Sequence, residues 1–232
     1  MLVLAIDTCL GAVSVAAGVV GPNAEARIRE IYGEVQTGHA ERLMPMVQAA
    51  MADAGLAFGD LARIAVTLGP GTFTGVRTGI AAARAFRLAT GADVVGTTSL
   101  AVIAHALLAG SAADERPLLV AVDARRGALY VQLFGANALA PLTEPQELTP
   151  TAAAALARDR PLRAAGSGAA AVVAAGAADG RSIEAVAGPC EPHARDLAML
   201  APGLSPLDMV RPLYIRPPDA KPQSGKPLAR AP

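Results

Sequence analysis

The chain has 232 residues, 53% of them hydrophobic but only 3% aromatic and none tryptophan, so its cores must be built from alanine, valine and leucine. Twenty basic residues balance twenty acidic ones, and a formal net charge of zero argues against an autonomous nucleic-acid binder, which would carry a basic face. All but two of the basic residues are arginine, a bias that accompanies the Ala and Gly richness of the whole chain and is not by itself a sign of phosphate binding.

Residues 2–6 form an apolar run that meets Asp7 at once, so they read as a strand and not as a signal peptide. A second apolar run, 12–18, makes a hairpin with the first, and Gly11 is expected to supply the positive φ of the turn. Leu43, Met46, Val47, Ala50 and Met51 recur at helical spacing, with Gly55 as the stop. Pro45 inside that pattern predicts a kink or a late start. Residues 63–68 read as a buried strand, 74–90 as a helix and 93–96 as a short strand. No formal charge occurs over residues 94–113, but Gly96-Thr-Thr-Ser99 divides that stretch. What remains is a helix over 99–109 with Ser99 as its N-cap, too short to span a bilayer. A second hairpin falls at 117–134, and Thr149-Pro150 starts a helix with proline at its first position. Residues 162–168 are a strand and glycine turn ahead of an Ala-rich helix. With five prolines and no apolar periodicity, 216–232 are expected to be a disordered tail.

The two hairpins echo each other. Each is an apolar strand ending in Asp, then three residues, Gly and a second apolar strand, and Asp7 and Asp123 lie half the chain apart. A duplicated unit is the simplest explanation, with lobes at 1–110 and 111–215; chance similarity of two short hairpins is the alternative. At a strand end each Asp could hold Mg²⁺ near a phosphate or cap its own turn.

Residues 69–79, Gly-Pro-Gly-Thr-Phe-Thr-Gly-Val-Arg-Thr-Gly, connect a strand to a helix. Such a turn gathers backbone N–H groups at a positive helix end. It is not a P-loop, because Val76-Arg77 stands where Lys-Ser or Lys-Thr is needed, nor a dinucleotide fingerprint, because Thr74 replaces the third glycine. Gly71, Gly75, Gly79 and Ala83 recur every four residues and line one helical stripe. Close helix–sheet packing, a nucleotide contact and a partner-helix contact all remain open from this pattern.

Catalytic constellations are sparse. His39, His105 and His193 are far apart, and the residue four beyond His39 is Leu43, so no i, i+4 ligand pair forms there. His39 reads as a solvated or capping residue at a helix start, and His105 as a core or lobe-interface residue. Neither a Gly-x-Ser-x-Gly elbow nor a His-Glu-x-x-His pair occurs. Cys9 and Cys190 are too few for a disulfide framework and read as small buried apolar residues in a reducing, cytoplasmic setting.

Asp7-Thr-Cys with its hairpin, His39-Ala-Glu-Arg-Leu43-Met-Pro45, the glycine segment 69–77 and Pro212-Leu-Tyr214-Ile-Arg216 occur in one order. Together they resemble the TsaB (YeaZ) family, the bacterial dimerisation subunit of the tRNA threonylcarbamoyladenosine machinery, over about residues 1–216. The resemblance implies an α/β chain of two tandem RNase H-like lobes in the actin/hexokinase/Hsp70-like (ASKHA) fold. It implies a catalytic sister, TsaD, that transfers threonylcarbamoyl from an adenylate donor to N6 of the tRNA adenosine 3′ of the anticodon. TsaD holds its metal through His-x-x-x-His, and the matching His39 and Leu43 leave half of that site missing. Actin-like ATPases place glycine two residues after each phosphate-loop Asp, where this chain has Cys9 and Arg125. Any vestigial site for weak ATP or ADP binding with Mg²⁺ then falls to Asp7, Gly69, Gly71, Gly75, Gly166 and Gly168, the last two matching the adenosine loop. The family pattern implies a non-catalytic scaffold that pairs with TsaD through a four-helix bundle in the first lobe. TsaE would join the larger complex, tRNA would be met through it, a homodimer would form when the chain is alone, and no membrane is involved. The expected interface is Leu43, Met46, Val47, Ala50 and Met51 on one helix with Gly75, Gly79 and Ala83 on the next, so Gly79→Arg is expected to abolish pairing without unfolding the monomer. An ATP-dependent phosphotransferase of the same fold and a metallopeptidase-like enzyme are the alternatives.

Overall fold

The computed structural model describes residues 1–21, 26–35, 37–109, 114–157 and 160–216. One sheet contains β1 (Leu2–Asp7), β2 (Ala12–Val19), β3 (Arg27–Glu34), β4 (Arg63–Thr67) and β5 (Asp93–Thr97), in the order β3-β2-β1-β4-β5. A second contains β6 (Leu118–Asp123), β7 (Leu129–Phe134), β8 (Gln146–Leu148), β9 (Leu162–Ala165) and β10 (Ile183–Ala185), in the order β8-β7-β6-β9-β10. In both, three strands run antiparallel and two more continue parallel to the first. This is the RNase H-like arrangement, present twice, and the hairpin echo marks its repeat. Val3, Leu4, Ala5 and Ile6 are all fully buried because β1 is covered on both faces, which is why it reads as an unbroken apolar run.

Six helices are described among these residues: α1 (His39–Ala54), α2 (Phe73–Thr90), α3 (Ser99–Leu108), α4 (Pro150–Ala154), α5 (Ala169–Ala178) and α6 (Ala194–Leu200). α1 starts at His39 and continues through Pro45, so the late start suggested by the proline does not occur; left-handed Gly55 ends it as expected. The N-cap of α3 is Thr98, whose Oγ1 accepts the Ala101 N–H at 2.9 Å. Ser99, expected in that role, is one residue too far on; it is buried and donates to the Pro70 carbonyl oxygen at 2.7 Å.

α1 and α2 cover one face of the first sheet, and α4 and α5 cover the outer face of the second. Between the sheets, α3 lies on the second sheet and α6 on the first, and the two helices pack against each other. Each therefore covers the sheet that chain order assigns to the other lobe. A single apolar core runs from Val3, Ala5 and Ala65 through Leu100, Ile103 and Leu197 to Leu118, Val120 and Val122. Beyond α6 an extended strap, 204–216, returns across the first sheet: Leu207 N–H donates to Val94 O at 2.8 Å and Leu213 N–H to Leu68 O at 2.7 Å. The expected tail lies outside the described residues except for Arg216, which forms an ion pair with Glu147.

Candidate functional site

The glycine stripe of α2 faces inward, onto the turn after β1. A Cβ at Gly75 would overlap the Thr8 carbonyl oxygen, one at Gly71 would lie 2.9 Å from the Cys9 Cβ, and one at Gly79 would lie 2.7 Å from Thr8 Oγ1. The stripe is a cradle for the chain's own Thr8–Cys9 segment. Its donors are engaged as well: Thr72 N–H meets Cys9 O at 2.7 Å, and Gly75 N–H meets Thr72 Oγ1 at 3.1 Å. In the second lobe Gly166 and Gly168 pack on Ala121 O, which accepts the Gly168 N–H at 2.9 Å.

Asp7 is fully buried. Its Oδ1 accepts the Thr67 hydroxyl at 2.5 Å and the Cys9 N–H at 3.4 Å, while Oδ2 has no partner. Burial pushes its carboxyl up to about 7 against the pull of those hydrogen bonds. Cys9 completes the network by donating to Thr67 Oγ1 at 3.1 Å, and burial raises its thiol too. Asp123, by contrast, is exposed and caps its own turn, accepting the Arg125 N–H at 2.7 Å. Both aspartates thus take the turn-capping role. Of the two turn glycines, only Gly127 has a positive φ, at 77°; Gly11 does not, and a Cβ there would meet only the movable end of the Glu191 side chain, at 3.0 Å.

An open cleft of about 690 Å³ lies between the two hairpin turns, with His39, Thr72 and Glu191 on one wall and Asp123, Arg125 and Ser167 on the other. The residues expected for a Mg-nucleotide do not fit one. Asp7 is fully buried, and the glycines of the two loops pack on the chain's own Thr8, Cys9 and Ala121 carbonyl oxygens. His39 is neither solvated nor a cap: it is buried, and its Nε2 donates to Leu10 O at 3.1 Å. His105 bridges α3 and α6 through Asp196 at 2.8 Å. Cys190 is exposed, contrary to its reading as buried, because it lies in the irregular segment before α6. Among the described residues no three His, Cys, Asp or Glu side chains are grouped to hold a metal ion.

The expected docking residues are brought together, but against the chain's own sheet. Leu43, Val47, Ala50, Met51, Gly75, Gly79 and Ala83 are buried in the α1–α2 core, and Met46 packs at its edge. Periodicity found the apolar side of each helix; the first sheet covers it. The faces left outward carry Met44, Ala49 and Ala52 on α1 and Ala81, Ala85 and Leu88 on α2, with Leu88 90% exposed. Their signal in the sequence was a charge-poor second stripe, Ala81, Ala85 and Ala89, spaced by four.

A family model described as TsaD, tRNA N6-adenosine threonylcarbamoyltransferase, matches residues 33–156, just over half of the chain. An uncharacterised protein of Mycobacterium tuberculosis is 41% identical over 128 residues, which is 55% of this chain and 56% of that protein. The tRNA threonylcarbamoyladenosine biosynthesis protein TsaB of Escherichia coli is 35% identical over 133 residues, 56% of this chain and 53% of the relative. The match therefore spans about half the length of the curated relatives. Among solved structures, a Pseudomonas aeruginosa protein described as similar to peptidase YEAZ superimposes with a TM-score of 0.76 at 26% identity, over 93% of this chain and 99% of that one.

Proposed function

The chain belongs to the TsaB (YeaZ) family of tRNA threonylcarbamoyladenosine biosynthesis, and from that premise we propose that it is a non-catalytic scaffold that binds and supports TsaD. The observation that carries this reading is where the exposed apolar side chains lie. Among the described residues ten large hydrophobics are exposed, and five of them (Met44, Phe73, Leu88, Met209 and Tyr214) belong to α1, α2 or the strap beside α2. Exposed apolar side chains on these elements are the groups that a partner would cover. Small outward residues, Ala49, Ala52, Ala81 and Ala85, let a partner's helices come near that side.

Support for a scaffold over an ATP-driven transferase comes from the glycine loops, which enclose the chain's own backbone, and from Asp7, which is fully buried and bonded to Thr67. TsaD would dock its own helices on the outer α1–α2 face, a second copy of this chain would take the same face in its absence, and TsaE and tRNA would be met through TsaD. Co-expression with the cognate TsaD and mass measurement of the eluted complex tests this. A one-to-one complex lost in Ala85→Arg, whose monomer still folds, is the expected result; an unchanged complex overturns the reading.

A further inference from the structure

Two segments 137 residues apart meet at the N-terminal end of α2. Arg77 Nε donates to the Tyr214 hydroxyl at 2.6 Å, the Phe73 and Tyr214 rings stack at 5.7 Å and 21°, and the Arg77 guanidinium carbon lies 3.6 Å from the centre of the Phe73 ring. Phe73 and Tyr214 nonetheless remain 47% and 42% exposed. The three side chains hold one another in place at the surface, and neither ring is buried. Aromatic and arginine side chains arranged in this way are the groups that dominate protein–protein contacts once buried.

The strap that delivers Tyr214 is firmly attached. Val210 is buried in the α2 core, Arg84 Nε donates to Val210 O at 3.0 Å, and Arg87 Nη1 donates to Leu207 O at 2.8 Å. Arginine also predominates over acid on these two segments. α2 and residues 204–216 contain Arg77, Arg84, Arg87, Arg211 and Arg216 against a single acid, Asp208. Arg216 pairs with Glu147, but the other four arginines meet no carboxylate among the described residues. Carboxylates of the second lobe lie near as well: Glu144 lines one pocket with Arg211, and Asp123 another with Phe73.

We propose that the Phe73–Arg77–Tyr214 cluster is an anchor point of the TsaD contact and that it receives an acidic segment of that partner, an apolar side chain flanked by carboxylates. The proposal rests on the docking reading above and extends the contact from the helix pair onto the strap. An RNA strand fits less well. Arg84 and Arg87 direct their donors into strap carbonyls and not outward to phosphates.

The test measures affinity of the full chain for its TsaD across a salt series, using wild type, Tyr214→Ala, Arg77→Glu, Arg77→Lys and the docking-face control Ala85→Arg. Tyr214→Ala should weaken binding by about tenfold and Arg77→Glu by more, as expected for truncated or reversed contact anchors. The Arg77→Glu complex should also lose part of the wild-type salt dependence, and Arg77→Lys should recover part of the loss. Thermal unfolding of each variant near that of wild type shows that the effect is on contact. Wild-type affinity for Tyr214→Ala and Arg77→Glu, with binding lost in Ala85→Arg, overturns this inference alone. Binding retained in Ala85→Arg overturns the docking reading itself. Loss of RNA capture by the complex, with protein–protein affinity unchanged, assigns the cluster to RNA and likewise overturns the proposal.

Discussion

Thr8 and Gly75, 67 residues apart, interlock: the Thr8 hydroxyl donates to the Gly75 carbonyl oxygen at 2.6 Å, and the Thr8 carbonyl oxygen fills the space a Gly75 side chain would need. Gly75→Ala must therefore separate α2 from the β1 turn, with backbone on both sides of the clash. The expected cost is about 3 kcal/mol or more, as for other overpacked sites without a flexible neighbour. Urea unfolding of Gly75→Ala beside the exposed Ala85→Gly, expected to lose only about 1 kcal/mol as a helix-interior glycine, checks it.

Gly79 is enclosed in the same way. An arginine at Gly79 would collide with Thr8 and Val66, so Gly79→Arg should give an unfolded or aggregated chain and not a folded monomer that fails to pair. Ala81→Arg, on the outward face, should keep the wild-type unfolding midpoint while losing TsaD. Circular dichroism and co-elution on the two variants separate these outcomes.

Asp7 predicts a pH dependence. Its carboxyl titrates near 3.8 when free and is pushed up to about 7 by burial, so between those values the folded state holds the extra proton. Its contribution to stability is complete below about pH 4 and is lost as pH rises towards 7, with a slope of up to about 1.4 kcal/mol per pH unit. Asp7→Asn removes the titration. The stability difference between wild type and Asp7→Asn should therefore move against wild type from pH 5 to pH 8; a constant difference would count against a buried, proton-holding Asp7.

Strap attachment is testable through Val210, which packs with α2 and the first sheet. Val210→Ala should cost about 1–3 kcal/mol by leaving a small cavity. Arg84→Gln, which removes the charged donors from the Val210 carbonyl oxygen, should add about 1 kcal/mol or somewhat more. Because both groups fasten the same stretch of strap, the double variant should fall short of the sum of the singles.

The two thiols should differ sharply. Cys190 is exposed, while Cys9 is buried, hydrogen-bonded to Thr67 and raised in pKa. A thiol reagent should label one equivalent at once in the native protein and the second only after denaturant is added; prompt labelling of both would show that the Asp7–Cys9 network is open to solvent.

The repeat was legible because central strands buried on both faces must be apolar throughout, and β1 and β6 both end in an aspartate that caps the following turn. β3 was not, because Arg27-Ile-Arg-Glu-Ile-Tyr-Gly-Glu34 is an edge strand whose charges break the apolar signal. β8 and β10, at three residues each, are too short to show alternation. The docking phase misled for a different reason. Helical periodicity tells which side of α1 is dry, but Leu43 and Val47 would look the same whether a sheet of their own chain or a foreign helix dried them. Nor did anything in the local pattern of Ser99–Leu108 show that this helix would lie on the second sheet, since nearly all its residues are apolar.

Interposing α3 and α6 between the sheets has a mechanical consequence. A clamp that shuts on its cargo needs jaws that can swing, and swinging here would pull Leu100 and Leu197 out of a core to which both jaws contribute. The fissure between the hairpins is accordingly expected to keep its width, and heat should melt the whole body in one cooperative step. Such stiffness is what the proposed scaffold role asks for: an unchanging outline offered to another molecule.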